Sequence, residues 1–358
     1  IGDLPIISKS VFKNHKAEDY TSSKIEKNNL IVVSSSGSTG KPFTSYHSKE
    51  CVQKMLCYIA ARRLKWAGVG LFDKEITMGR RETNFMNPNF SMNPNSINLP
   101  PFVLTKEFLE KIRTIIHYFR PEVFRAYPQV LAEIGRYLSE KKETFKLKAA
   151  LVGGSMLSDF DKKQIEKSFE TEVYQSYLAG EGGIIATECE FKKLHVCMER
   201  TMVETVNEEG EPTNKIGRIL ITSLDNYAMP IIRYEVGDLA RISSRKCKCG
   251  RNLQIIEKLE GRSTDIITTP DGDRVQLPFF MNTFGKHNEI INFKLVQEDI
   301  GSVVLKIQCD ASFSKKSEKI LLRNLKKALK NMTINIEYCE EFEIHTYNKF
   351  KYIESRIK

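Results

Sequence analysis

The chain has 358 residues, 41% of them hydrophobic, which is enough to bury a sizeable core and more than one ordinary small domain needs. Lys and Arg outnumber Asp and Glu by 55 to 45, but the excess is spread thinly, with no dense basic tract and no aromatic-basic interleaving. That pattern excludes nucleic acid as the expected partner and leaves small anions as the simpler one. No apolar run approaches the roughly 18 residues of a membrane span, and the first residues lack a signal-peptide layout. A cytoplasmic protein without a membrane partner is expected. Its eight cysteines, at 51, 57, 189, 197, 247, 249, 309 and 339, are scattered as reduced thiols or metal ligands would be, rather than as a disulfide frame. A chain that begins at Ile is expected to lack some N-terminal sequence.

In chain order, Leu30 to Val33 reads as a short buried strand that feeds a turn, Ser34 to Pro42. Gly37 and Gly40 let that backbone turn tightly, while Ser36, Ser38, Thr39 and Lys41 add hydroxyls and one ammonium, the makings of a phosphate grip. It departs from the Walker A pattern at Ser35 and Pro42. Thr105 to Phe119 spaces Phe108, Ile112, Ile115, Ile116 and Phe119 along one helical face, after a capping Thr and before Pro121. A strand and turn at Glu122 to Pro128 precede a helix from Gln129. Lys148 to Val152 is a strand closed by Gly153 and Gly154, and Ser158 opens a helix that carries Ile165 and Phe169. Such alternation predicts a layered α/β domain with ligand loops at its strand ends.

From Val203 to Ile242 the texture changes to short strands and turns, a β-rich portion of the same domain. Beyond residue 262, strands at Ile290 to Val296 and Ser302 to Gln308, an amphipathic helix at Ser314 to Asn331 and a strand at Ile334 to Ile344 predict a small α+β domain. The expected division is 1–261 and 262–358.

Four further segments turn the loop into a constellation. Tyr177-Leu178-Ala179-Gly180-Glu181-Gly182 places an aromatic ring and a carboxylate together; Gly153-Gly154-Ser155 precedes it. Arg233-Tyr234-Glu235-Val236-Gly237-Asp238-Leu239 sets an aspartate just past a glycine turn, and Gly261-Arg262-Ser263-Thr264-Asp265 begins the last third. Near the end stands Asn348-Lys349-Phe350-Lys351.

These segments and the Ser34 to Pro42 loop resemble the adenylate-forming enzyme superfamily, most closely its phenylacetate–CoA ligase branch and relatives in capsule-polysaccharide gene clusters. The resemblance covers nearly the whole chain and implies that family's fold, N-terminally short. It implies that Ser36, Gly37, Ser38, Thr39, Gly40 and Lys41 grip pyrophosphate oxygens of ATP, and that Gly154, Ser155 and Tyr177 adjoin adenine. Asp238 would take the ribose hydroxyls and Arg262 a phosphate or ribose. Glu181 would hold Mg²⁺, a hard cation suited to carboxylate, and Lys349 would be the adenylation lysine, its ammonium meeting charge that builds at the α-phosphate. Leu178, Gly180, Thr264 and Asn348 depart from the family pattern.

Cys247-Lys248-Cys249-Gly250 supplies two thiols, too few to close a tetrahedral site. Glu188 to His195 resembles a Cys-Glu…Gly-Leu-His stretch of the same branch, so Cys189 and His195 would complete a Cys₃His set for structural Zn²⁺, with Cys197 as a substitute ligand. The resemblance implies ATP-dependent activation of a small carboxylic acid, an aryl acid foremost, and its transfer to coenzyme A. An amine or hydroxyl acceptor stays open, as does a homodimer. A nucleotide-binding protein without ligase activity is the rival reading, motivated by the four departures. A zinc-dependent nucleic-acid module is the third.

Overall fold

The computed structural model describes residues 2–12, 15–34, 44–78, 95–99, 103–243, 245–262, 265–344 and 350–357. An eleven-stranded sheet forms its backbone. Five strands are parallel, in the order Ser96–Leu99, Glu75–Met78, Val123–Ala126, Ala149–Gly153 and Val173–Ala179. There the pairing reverses. Gly183–Glu188, Leu194–Val196, Ile255–Arg262, Tyr234–Ser243, Gly217–Ser223 and Thr201–Val206 continue the sheet antiparallel.

The parallel half is apolar on both faces, as crossover helices require. Phe124, Ala150 and Val152 pack against helices Lys106–Phe119, Pro128–Glu140 and Asp159–Phe169 through Ile112, Ile116, Leu131, Ile134, Leu138, Ile165 and Phe169. The alternate residues Val123, Ala149 and Leu151 meet Leu64, Ala67, Val69 and Tyr174 on the other side. The helix ends follow local chemistry: the Thr105 hydroxyl accepts from the Phe108 amide and the Ser158 hydroxyl from that of Asp161.

The last third builds a separate four-stranded sheet, in the order Thr333–Tyr338, Ser302–Cys309, Ile290–Gln297, Ile353–Ser355. Its central pair is antiparallel and both outer pairs are parallel. Helix Lys315–Leu329 lays Leu321, Leu325 and Leu329 on that sheet beside Phe280 and Phe284 of helix Leu277–Phe284.

Two expectations change. Leu30–Ser34 joins neither large sheet; it forms a two-stranded ribbon with Thr44–Ser48, and only Val33 is buried while Val32 is exposed. A ribbon needs no apolar residue on its outer face, so an apolar run alone does not place a strand in a core. The predicted strand at Ile334 to Ile344 ends at Tyr338. Its continuation carries Glu340, Glu341 and Glu343, then crosses to the large core, where Ile344 is buried and its carbonyl accepts from the Leu104 amide at 3.0 Å.

Leu325 is wholly buried in the small unit. Leu325→Ala is expected to cost about 2–5 kcal/mol through lost contacts and the cavity left. Urea denaturation followed by far-UV circular dichroism measures this.

Candidate nucleotide site

The sheet's reversal places several polar segments together. In open sheets, ligands bind at the C-terminal ends of parallel strands, where the order switches. Here Tyr127 follows Val123–Ala126, Gly154 and Ser155 follow Ala149–Gly153, and Tyr177 lies near the end of Val173–Ala179. Gly154, Ser155 and Tyr177 line one side of an open cleft of about 870 Å³, mouth included, with Asp238 and Gly261 on the antiparallel side and Phe350 and Tyr352 of the last third closing it. Tyr127 itself packs against the Gly154 turn. Gly154 has φ +82°, and a Cβ there would sit 2.6 Å from the Tyr127 ring, so neither its conformation nor its surroundings admit another residue.

Hydrogen bonds aim the acidic groups. Tyr177 Oη donates to Asp238 Oδ2 at 2.7 Å, and Tyr234 Oη donates to Glu181 Oε1 at 3.2 Å. Glu181 sits in the turn between Val173–Ala179 and Gly183–Glu188. Asp238 and Arg262 are direct partners in the antiparallel pairing of Tyr234–Ser243 with Ile255–Arg262, although 24 residues separate them. Gly237, at φ +82°, precedes Asp238, and the register of that strand pair shifts just beyond, between Leu239 and Ala240.

Gly154, Ser155, Tyr177 and Asp238 are therefore gathered at one cleft, with the Arg262 backbone in register beside it. Ser36 to Lys41 of the phosphate loop, Thr264, Asn348 and Lys349 lie outside the described residues.

A second cluster stands on the antiparallel half. One ligand atom each from Cys189, His195, Cys247 and Cys249 lies within 4.8 Å of the other three. Cys189 Sγ and Cys247 Sγ are 3.8 Å apart, and Cys249 Sγ is 3.3 Å from His195 Nε2. Tetrahedral ligands at ~2.3 Å from one ion would be separated by about 3.8 Å. The donor set and its spacing thus fit a soft tetrahedral metal. Cys197 is not part of this group. Trp66, the only tryptophan, packs beside the cluster: its ring meets His195 edge-on at 5.9 Å, and the Arg251 guanidinium lies 4.4 Å from its centroid. Arg251 in turn pairs with Glu190 at 2.7 Å.

Sequence reading missed a buried polar group beside the Glu181 turn. Arg200 makes a bidentate pair with Asp225 at 2.7 and 3.1 Å. Cys51 Sγ lies 3.7 Å from Asp225 Oδ1, and His47 Nε2 is 3.1 Å from Ser45 Oγ, which donates to the Gly180 carbonyl at 3.3 Å. These residues come from three distant segments, so no local spacing announces them. Burial and the Arg200 charge, against the pull of Asp225, lower the His47 pKa to about 4. Burial foremost pushes the Cys51 thiol up to about 12.

The comparisons with known proteins bear on the fold. Residues 267–356 match the family model described as the CapK C-terminal domain. A phenylacetate–coenzyme A ligase of Thermus thermophilus is 28% identical over 66% of this chain and 55% of its own length. Protein CapK of Staphylococcus aureus aligns with the whole chain, at 21% identity over 81% of its length. The chain is thus similar to the phenylacetate–coenzyme A ligases and to CapK. Its fold is that of the adenylate-forming ligases: a 2-hydroxyisobutyryl-CoA ligase, solved in a postadenylation state with R3-HIB-AMP, superposes with a TM-score of 0.81 at 14% identity, over 99% of this chain and 80% of that one. The same ligase in its thioesterification state gives 0.63 over 99% of this chain and 81% of that one, so the parts of this chain are arranged more as in the former. The chain spans little more than half of the Thermus ligase.

The depressed His47 pKa has a consequence for stability. An unfolded chain takes up the imidazole proton near the ordinary value of 6.5, the folded one only near 4. Stability is then full above pH 6.5 and falls as pH drops toward 4, by up to about 3 kcal/mol. His47→Gln should flatten that acid limb, as urea denaturation at a series of pH values would measure.

Proposed function

We propose that this protein activates a small carboxylic acid with ATP, forming an acyl adenylate, and passes the acyl group to coenzyme A. The observation that carries this reading is the meeting of Asp238, Tyr177, Gly154 and Ser155 in one cleft at the sheet's reversal, with Arg262 in register opposite Asp238. A carboxylate held by a tyrosine hydroxyl is suited to accept both hydroxyls of a ribose. Gly154, lacking a side chain, lets the Tyr127 ring close against the turn, and Tyr177 offers an aromatic edge in the cleft for a flat ring.

In this reading the Ser36 to Lys41 loop restrains pyrophosphate, Glu181 holds Mg²⁺, and Lys349 brings positive charge to the α-phosphate as the carboxylate oxygen attacks. Residues 1–261 act as the large domain and 262–358 as a small mobile one that turns between the two half-reactions. The acid is a small aryl or similar acid. Eight free cysteines support a reducing compartment, the cytoplasm, and no helix among the described residues is long and apolar enough to cross a membrane.

Exchange of labelled pyrophosphate into ATP, over a panel of aryl and alkyl acids, tests the reading. At least one acid should support exchange, and Asp238→Ala and Lys349→Ala should each reduce it by about 10²-fold or more. Nucleotide binding without exchange for any acid would sink the ligase and favour a plain nucleotide-binding protein.

Within the same reading, Cys189, His195, Cys247 and Cys249 hold one structural Zn²⁺, because four protein ligands leave no position open for substrate. Metal analysis should find about one zinc per chain, and Cys247→Ser should lose it. Since the Trp66 ring packs against His195, its fluorescence should change together with the metal content. Protein purified without chelator and free of metal would refute the assignment.

A further inference from the structure

A buried polar contact joins the small unit to two helices of the large one, at the border of the cleft, and carries no role in the chemistry described above. Tyr352 belongs to the small unit by its backbone: its carbonyl accepts from the Leu295 amide at 2.7 Å, and the following Ile353–Ser355 pairs with Leu295, Val296 and Gln297. Its ring packs on Phe293 and Phe350, with centroids 5.0 and 4.9 Å away. The hydroxyl, however, reaches into the large unit. It donates to Asp161 Oδ2 at 3.3 Å and accepts from Gln129 Nε2 at 3.2 Å.

All three side chains are buried, Tyr352 at 6%, Asp161 at 4% and Gln129 at 2% exposure. Each receptor is itself fixed. Asp161 accepts from Ser158 Oγ at 2.8 Å at the start of its helix, and Gln129 Nε2 also donates to the Met156 carbonyl at 2.9 Å. Gln129 Oε1 accepts from Ser155 Oγ at 2.7 Å, and Ser155 and Tyr352 both line the cleft, from its two sides. One continuous chain of hydrogen bonds therefore runs from the cleft wall to the small unit.

We propose that Tyr352 is the positioning residue that seats the small unit on the large sheet, that Asp161 and Gln129 form its receptor, and that Ser155 couples the seat to occupancy of the cleft. Buried donors and acceptors are costly without partners, so these groups are satisfied either when docked or when fully hydrated, and an intermediate separation is disfavoured. That property makes the contact two-state. Only the coupling through Ser155 rests on the nucleotide reading; the seat itself does not.

Amide hydrogen exchange tests it on the full chain. The Leu104 amide reports docking, because it donates across the units to the Ile344 carbonyl. Tyr352→Phe keeps the ring and removes the hydroxyl, and should speed exchange at Leu104 roughly tenfold while amides of helix Lys315–Leu329 keep their protection. Gln129→Ala, cutting from the other side, should act on the same amide. Mg·ATP should slow exchange at Leu104 in the wild type and much less in either variant. Unchanged exchange at Leu104 in both variants, or equal loosening of the Lys315–Leu329 helix, overturns the seat. A Leu104 amide in the wild type that slows with Mg·ATP equally in the variants overturns the coupling. If Mg·ATP changes nothing anywhere, the nucleotide reading fails, while the ligand-free comparison still decides the seat.

Discussion

The strand Val173–Ala179 has a parallel neighbour on one side and an antiparallel neighbour on the other, and most of the architecture follows from that single seam. Parallel strands all end at the same edge, so the turns after Val123–Ala126 and Ala149–Gly153 open side by side there. Antiparallel strands can return to that edge from the far half of the sheet. The pairing of Tyr234–Ser243 with Ile255–Arg262 does so and brings Asp238 and Arg262 level with each other. A sheet of one kind throughout would separate the Gly154 turn from Asp238.

The seam also explains which polar groups can be buried. Tyr177, at the seam, is itself buried and uses its hydroxyl to hold Asp238. Arg200 and Asp225, buried beside the next hairpin, pair with each other, because a lone charge at that depth would carry a heavy desolvation cost. The Tyr352 hydroxyl is satisfied only by groups of another structural unit. Burial without a local partner thus forces long-range organisation. The metal-fitting cluster shows the same logic, since its ligands come from the Glu188 to His195 stretch and from Cys247 and Cys249, brought together where Leu194–Val196 pairs with Ile255–Arg262.

Much of the fold was legible because its signals are local. Apolar spacing in Thr105 to Phe119 and a cap at Ser158 concern neighbours a turn apart, and the helices lie where that spacing places them. The strand expected through Ile344 failed for a non-local reason: Ile344 is claimed by the large core, a competitor that periodicity cannot see. Likewise Leu30 to Val33 has the composition of a core strand but pairs in an isolated ribbon. At the cleft, Asp238, Tyr177 and Gly154 could be named from motif resemblance, whereas Gln129, Asp161 and Tyr352 carry no motif and lie 32 and 191 residues apart along the chain.

By itself, the sequence determined the order of helices and strands, the glycine at 154 and the residue types proposed for a nucleotide cleft and for a tetrahedral ligand set. Those properties depend on backbone conformation and on spacing within a few residues. The tertiary structure decided which strand is the seam, that the Asp238 and Arg262 backbones pair, that Trp66 packs on His195 of the metal-fitting group, and that Tyr352 joins the small unit to two helices of the large one. Each of these is a contact between distant segments, settled by which buried surfaces and polar groups find partners in the whole chain, and no local pattern encodes that competition.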